Sequence, residues 1–113
     1  MSATELLTIA AAATSTTAIQ KPANSIILAV SVRVTTAVTC TSVFEVGDST
    51  SANRFNTASV SKAATTTDKG TKAGAYYNAT AEGIIITPDT TPSDNTGRVR
   101  VTIHYIEITA PTS

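Results

Sequence analysis

The residues that could carry chemistry are few in this chain and far apart. His104 is the only histidine and Cys40 the only cysteine among 113 residues, so they cannot build a His-rich metal site or an internal disulfide. A nucleophilic Cys–His pair would require Cys40 and His104 to meet in space. His104 instead sits mid-strand beside Tyr105 and reads as a partly exposed sheet residue, while Cys40 reads as a small buried residue near a strand end. The acids Asp48, Asp68, Asp89 and Asp94 all fall in segments of turn composition, where an Asp side chain accepts hydrogen bonds from nearby backbone amides. No Asp-x-Asp-x-Asp-Gly calcium loop and no Gly-rich phosphate loop occurs. A weaker calcium site assembled from several loops is the one metal alternative. Asn78-Ala79-Thr80 matches a glycosylation acceptor. The opening Met1-Ser2-Ala3-Thr4-Glu5 lacks the basic region of an export signal, so that match is read as chance. The expectation is a protein that is not an enzyme, with no catalytic residues, no cofactor and no metal site.

Composition points to assembly instead. Hydrophobic residues make up 42% of the chain and charged ones only 14%, well under the roughly 25% usual in globular proteins. The polar surface must therefore come mostly from hydroxyls, and Thr is the commonest residue. Thr is β-branched and favours strands, and a hydroxyl surface carries little charge to repel a neighbour. Net charge is zero, whereas nucleic-acid binding normally needs a basic patch that releases counterions. Only Arg98 and Arg100 approach one, alternating along a strand. There is no apolar run of about 18 residues, so no helical membrane span is expected. A lone cysteine and no export signal fit synthesis in a cytoplasm.

The elements that would position these side chains are strands. From about Ser25 to Val38, Ile26, Leu28, Val30, Val32 and Val34 are expected on one face, with Ile27, Ala29, Ser31, Arg33 and Thr35 on the other. From about Gly97 to Thr109, Val99, Val101, Ile103 and Tyr105 share a face before the apolar phase switches to Ile106 and Ile108. Such a switch predicts a β-bulge, or an end covered on its second face. Shorter strands are expected at Ser42–Val46, Ala75–Asn78 and Glu82–Thr87, with Phe55 entering the core and turns at Ala23-Asn24, Gly47-Asp48, Asp68-Lys69-Gly70, Pro88-Asp89 and Pro92–Gly97. Thr4 to Ala13 fits either a short helix or an extended strand followed by a loop; the absence of a sustained 3.6 period favours the strand. Ser59 to Thr71 reads as a mobile loop or an exposed edge. The expected fold is all-β, a single domain over residues 1–113, an antiparallel β-sandwich of jelly-roll type, with residues 1–20 as an extended N-terminal arm or an edge strand.

The run Lys21-Pro22-Ala23-Asn24-Ser25-Ile26-Ile27-Leu28-Ala29-Val30-Ser31-Val32-Arg33-Val34-Thr35-Thr36-Ala37-Val38 is followed by Phe44-Glu45-Val46-Gly47-Asp48, by Asn53-Arg54-Phe55, and by Gly97-Arg98-Val99-Arg100-Val101-Thr102-Ile103-His104-Tyr105-Ile106. Together these resemble the small β-sandwich modules at the ends of phage tail and fibre proteins, and the β-sandwich cement proteins that decorate tailed-phage capsids. The resemblance covers most of the chain but rests on alternation and turns, not on a chemical signature. Fibre modules usually follow a long anchoring region, whereas this chain opens with Met1 just before its first strand, which fits a decoration protein better. The resemblance implies a virion protein on the capsid surface, a homotrimer whose partners are itself and the major capsid protein, with no nucleic acid or membrane partner. The alternative is a fibre module that recognises a host glycan or protein. Leu6, Leu7 and Ile9, with Tyr76 and Tyr77, are the expected contact residues, since tyrosine supplies large amphipathic area at interfaces. The tail Ala110–Ser113 is either frayed or reaches a neighbour.

Overall fold

The computed structural model describes residues 2–52, 54–55, 60–68 and 76–107, with residues 68, 76 and 107 described by backbone alone, and these described residues form nine strands and no helix. They are β1 (Ser2–Ile9), β2 (Ser15–Lys21), β3 (Ser25–Thr36), β4 (Val43–Gly47), β5 (Val60–Ser61), β6 (Thr67–Asp68), β7 (Tyr76–Asn78), β8 (Glu82–Pro88) and β9 (Gly97–Glu107). Sheet A has the order β1-β9-β3-β6, with β7 also on β3, and sheet B the order β2-β8-β4-β5. Every pairing is antiparallel. The pairs are nested: β4 with β5 lies inside β3 with β6 and β7, inside β2 with β8, inside β1 with β9. A long hairpin folded over on itself in this way is the jelly-roll arrangement of a two-sheet sandwich.

The core lies between the sheets and is formed by alternate residues of the strands. Val30, Val32 and Val34 of β3, Phe44 and Val46 of β4, Ile84 and Ile86 of β8, and Val99, Val101 and Ile103 of β9 are all buried. Leu7 and Ile9 of β1 join them, as do Phe55 and Val60. Both β1 and β2 are therefore built into the sandwich. β1 pairs with β9 along eight residues as the edge of sheet A, and β2 forms the edge of sheet B. Leu7 and Ile9 are the β1 side chains that reach the core.

Two expectations about β3 and β9 are corrected by one feature. The strands pair Ile27 with Tyr105 and Ala29 with His104, so Leu28 is an extra residue on β3. This bulge shifts the side-chain phase. Ile27 is buried and Leu28 is 49% exposed, the reverse of their expected faces, while Val30 onward face the core as expected. On β9 the phase does not switch: Tyr105 packs against the core and Ile106 lies outside, 50% exposed. The bulge inferred from β9 belongs to its partner. Of the segment Ser59–Thr71, β5 and β6 form edges of the two sheets. The expectations for Ile108 and for the tail Ala110–Ser113 lie outside the described residues.

β2 was not separable from the preceding segment because it turns polar side chains inward. Ser15, Thr17 and Lys21 are its buried positions, each with a partner. Ser15 Oγ accepts the Ala10 amide, and Thr17 Oγ1 accepts the Ile84 amide while donating to the Ile19 carbonyl. Between Thr16 and Gln20 the register with β8 slips. The Ala18 and Ile19 amides at this irregularity donate to Glu5 Oε1 of β1 at 2.8 and 2.9 Å, so one carboxylate ties the edges of the two sheets together.

At the end of β4 the loop folds back over Gly47, and a Cβ there would collide with the Ser51 carbonyl oxygen and the Ala52 backbone. Gly47→Ala should lower unfolding free energy by about 3 kcal/mol or more, since overpacking against backbone cannot be relieved by a rotamer change. Denaturant melts check this, and a loss below about 1 kcal/mol would contradict the packing described.

Candidate functional site

Charged side chains from three distant points of the sequence meet at one end of sheet B. Lys21 closes β2, Glu82 opens β8 opposite it, and Asp48 follows β4. Lys21 Nζ lies 2.9 Å from both Asp48 Oδ2 and Glu82 Oε1, and the side chains of Lys21 and Asp48 have no exposed area. Arg54 Nε reaches the same Asp48 oxygen at 2.6 Å. The Lys21 ammonium also stands 5.3 Å from the centre of the Phe55 ring, a cation–π distance. Asp48 Oδ1 accepts the amides of Thr50 and Ser51, which is the turn role its sequence position predicted. Burial pushes the Asp48 carboxyl up, but its hydrogen bonds from Lys21 and from the Ser51 and Thr50 amides outweigh this and hold it below the usual carboxylate range.

This clasp is continuous with the turn into β3. Asn78 Nδ2 donates to the carbonyls of Lys21 and Pro22, and Ser25 Oγ donates to that of Pro22. Asn78 is 2% exposed, so the acceptor side chain of its glycosylation motif is buried. Beside the clasp lies a cleft of about 330 Å³ lined by Ser49, Thr50, Asn78, Ala79, Thr80 and Glu82. Its acid is already engaged, with Glu82 Oε2 accepting Ser49 Oγ at 2.8 Å.

The other residues with chemical potential are dispersed. Cys40 is buried and His104 lies on the outward side of β9, its Nε2 3.2 Å from Ser31 Oγ, so the two are not brought together. Burial raises the Cys40 thiol, and Asp89 adds to the effect, which favours the protonated, unreactive form. Asp89 accepts the Ser42 and Thr90 amides, and Asp94 accepts Thr96 and Thr39, as acids in turns do. Among the described residues no group of three His, Cys, Asp or Glu side chains is placed to hold a metal ion.

The outer face of sheet A has a definite pattern. The register sets Leu6, Arg100, Arg33 and Thr67 in one row across β1, β9, β3 and β6, with Arg98 in the next row. Hydroxyls follow: Thr4 and Thr102 are hydrogen-bonded at 3.1 Å. At the far end Ile106, Ile26 and Tyr77 stand side by side across β9, β3 and β7, with Leu28 at the bulge above them. Of the expected contact residues, Leu6 and Tyr77 are on this face, 50% and 53% exposed. Leu7 and Ile9 face the opposite way and belong to the core. The side chain of Tyr76 lies outside the described residues. Tyr77 Oη donates to Asn24 Oδ1 at 3.1 Å, and Asn24 has the positive φ of 55° that its turn requires. Sequence reasoning missed Leu28 and Ile26 as partners of Tyr77, because only the bulge brings Leu28 to the outer face.

The same fold occurs in a phage particle. A chain of a solved structure, the Cyanophage Pam1 capsid asymmetric unit, aligns with 95% of this chain and 81% of its own length, at a TM-score of 0.56 and 22% identity. No protein-family model and no curated protein matches this sequence. The likeness is one of fold.

The clasp is sensitive to the loss of a partner. Asp48→Ala takes the fully buried carboxylate away from the buried Lys21 ammonium and from Arg54 and should cost about 3 kcal/mol, the scale of breaking a buried ion pair from one side. Because the folded Asp48 has a lowered pKa, its contribution is complete above the unfolded carboxylate pKa and is lost as pH falls below about 4. Urea melts from neutral to acidic pH should show wild-type stability falling in that window, with a shallower fall for Asp48→Ala. Equal slopes would contradict the assignment.

Proposed function

We propose that this chain is a structural protein of a phage virion, a cement or decoration protein that sits on the assembled head and holds neighbouring major capsid subunits together. The observation that carries the reading is the nearly end-to-end likeness to a chain of a capsid asymmetric unit. Because four-fifths of that chain is aligned with this one, it too is a small β protein and not a large subunit sharing one domain. Surface chemistry supports the reading. A hydroxyl-rich surface with 14% charged residues packs against neighbours at modest desolvation cost, and four large apolar side chains, Leu6, Leu28, Tyr77 and Ile106, stand about half exposed on sheet A.

The mechanism is linkage. A protein that binds the closed shell and not its separated subunits stabilises the closed form by the free energy of binding. No catalysis or cofactor enters. In this reading the chain is made in the host cytoplasm and acts at the capsid surface, as a homotrimer that offers several copies of its contact face at once. A fibre-tip module would use the cleft beside Glu82 for a host glycan, but the engagement of Glu82 and Asn78 within the domain favours the shell role.

Purified protein added to shells lacking it should co-sediment with them and raise the temperature at which they rupture. Tyr77→Ala should fold normally and bind about tenfold more weakly, the scale of an exposed aromatic anchor. Absence of co-sedimentation by the wild type would refute the shell role.

A further inference from the structure

We infer that the arginine end of the outer face of sheet A docks onto a carboxylate-bearing surface of the neighbouring shell protein, an inference that rests on the shell reading. Arg33 and Arg100 are register partners on adjacent strands, both exposed and on the same face. Like charges directly opposite each other destabilise a sheet. Among the described residues no salt bridge reaches Arg33, Arg98 or Arg100. Five of the described acids are committed elsewhere. Glu5 is held by the Ala18 and Ile19 amides, Asp48 and Glu82 by Lys21, and Asp89 and Asp94 by their own loops. A chain of zero net charge thus presents a row of arginines on one face with no salt bridge among the described residues.

The guanidinium groups are also held in place. Arg33 Nη1 donates to Thr67 Oγ1 at 3.0 Å, and Arg98 Nη1 to the carbonyls of Asn95, Thr96 and Gly97. Each keeps further donors for a carboxylate, and fixing the fork beforehand reduces the ordering cost of binding. Two features favour a protein surface over nucleic acid. Exposed Leu6 shares the row with Arg100 and Arg33. The apolar row of Ile106, Ile26 and Tyr77 lies six residues along β9, roughly 20 Å away at about 3.3 Å per residue, a spacing that suits a folded subunit with an acidic and an apolar contact.

The decisive variant is Arg33→Glu, which replaces a like-charge pair with a cross-strand ion pair. The free domain should melt no lower than wild type, yet bind purified shells lacking the chain about tenfold more weakly. Wild-type binding should weaken several-fold between about 50 and about 500 mM salt, and that dependence should shrink in Arg33→Glu. Leu28→Ala, at the apolar end, should keep the full salt dependence. Wild-type binding with unchanged affinity in Arg33→Glu would overturn the inference while leaving the shell reading intact. Arginine-dependent binding of a short DNA duplex in preference to shells would overturn it in favour of nucleic acid. Failure of the wild type to bind shells at any salt would remove the reading and the inference together.

Discussion

A buried ammonium group governs how this sandwich closes. Lys21 has no exposed area, and a charge so placed is tolerated only when paired and hydrogen-bonded. Asp48 and Glu82 supply the pairing, which forces the ends of β2, β4 and β8 into one cluster. The loop after β4 must then fold back over Gly47 to bring the Ser51 and Thr50 amides to Asp48. Replacing the cluster with apolar residues of similar volume could leave stability unchanged. What the ions add is position: Asp48 and Glu82 meet Lys21 where β2, β4 and β8 come together.

That position carries through to the outer face. From Lys21 the chain passes through Pro22 and the Asn24 turn, both gripped from β7: Asn78 holds the Pro22 carbonyl and Tyr77 the Asn24 side chain. β3 therefore starts at a fixed height beside β7 and β9. Ile26, two residues beyond that turn, is set between Tyr77 and Ile106. The bulge at Leu28 then adds an apolar side chain to the outside and returns Val30, Val32 and Val34 to the core. Buried electrostatics at one end of sheet B thus determine which side chains sheet A presents.

The sequence displayed some of this and concealed the rest, for physical reasons. β9 and most of β3 were legible because their alternation is driven by Val and Ile, and the turns because Asp48, Asp89 and Asp94 each bond locally and Asn24 takes a positive φ. The bulge was legible only as a break in phase, which does not reveal which of two paired strands holds the extra residue. β2 was hidden because its inward residues are Ser15, Thr17 and Lys21, whose burial depends on partners many residues away. The clasp was hidden for the same reason: Lys21, Asp48 and Glu82 are brought together by topology alone. Leu6, Leu7 and Ile9 looked alike as exposed candidates, and the pairing of β1 with β9 separates them.

The claim on which the function rests is that this chain is a component of a phage head. Its most direct test is the copy number in purified virions, measured by quantitative mass spectrometry against the major capsid protein. The account predicts a copy number that keeps pace with the capsid subunits over the whole shell. A handful of copies per particle would move the chain to the tail or fibre, and its absence from the virion would contradict the account.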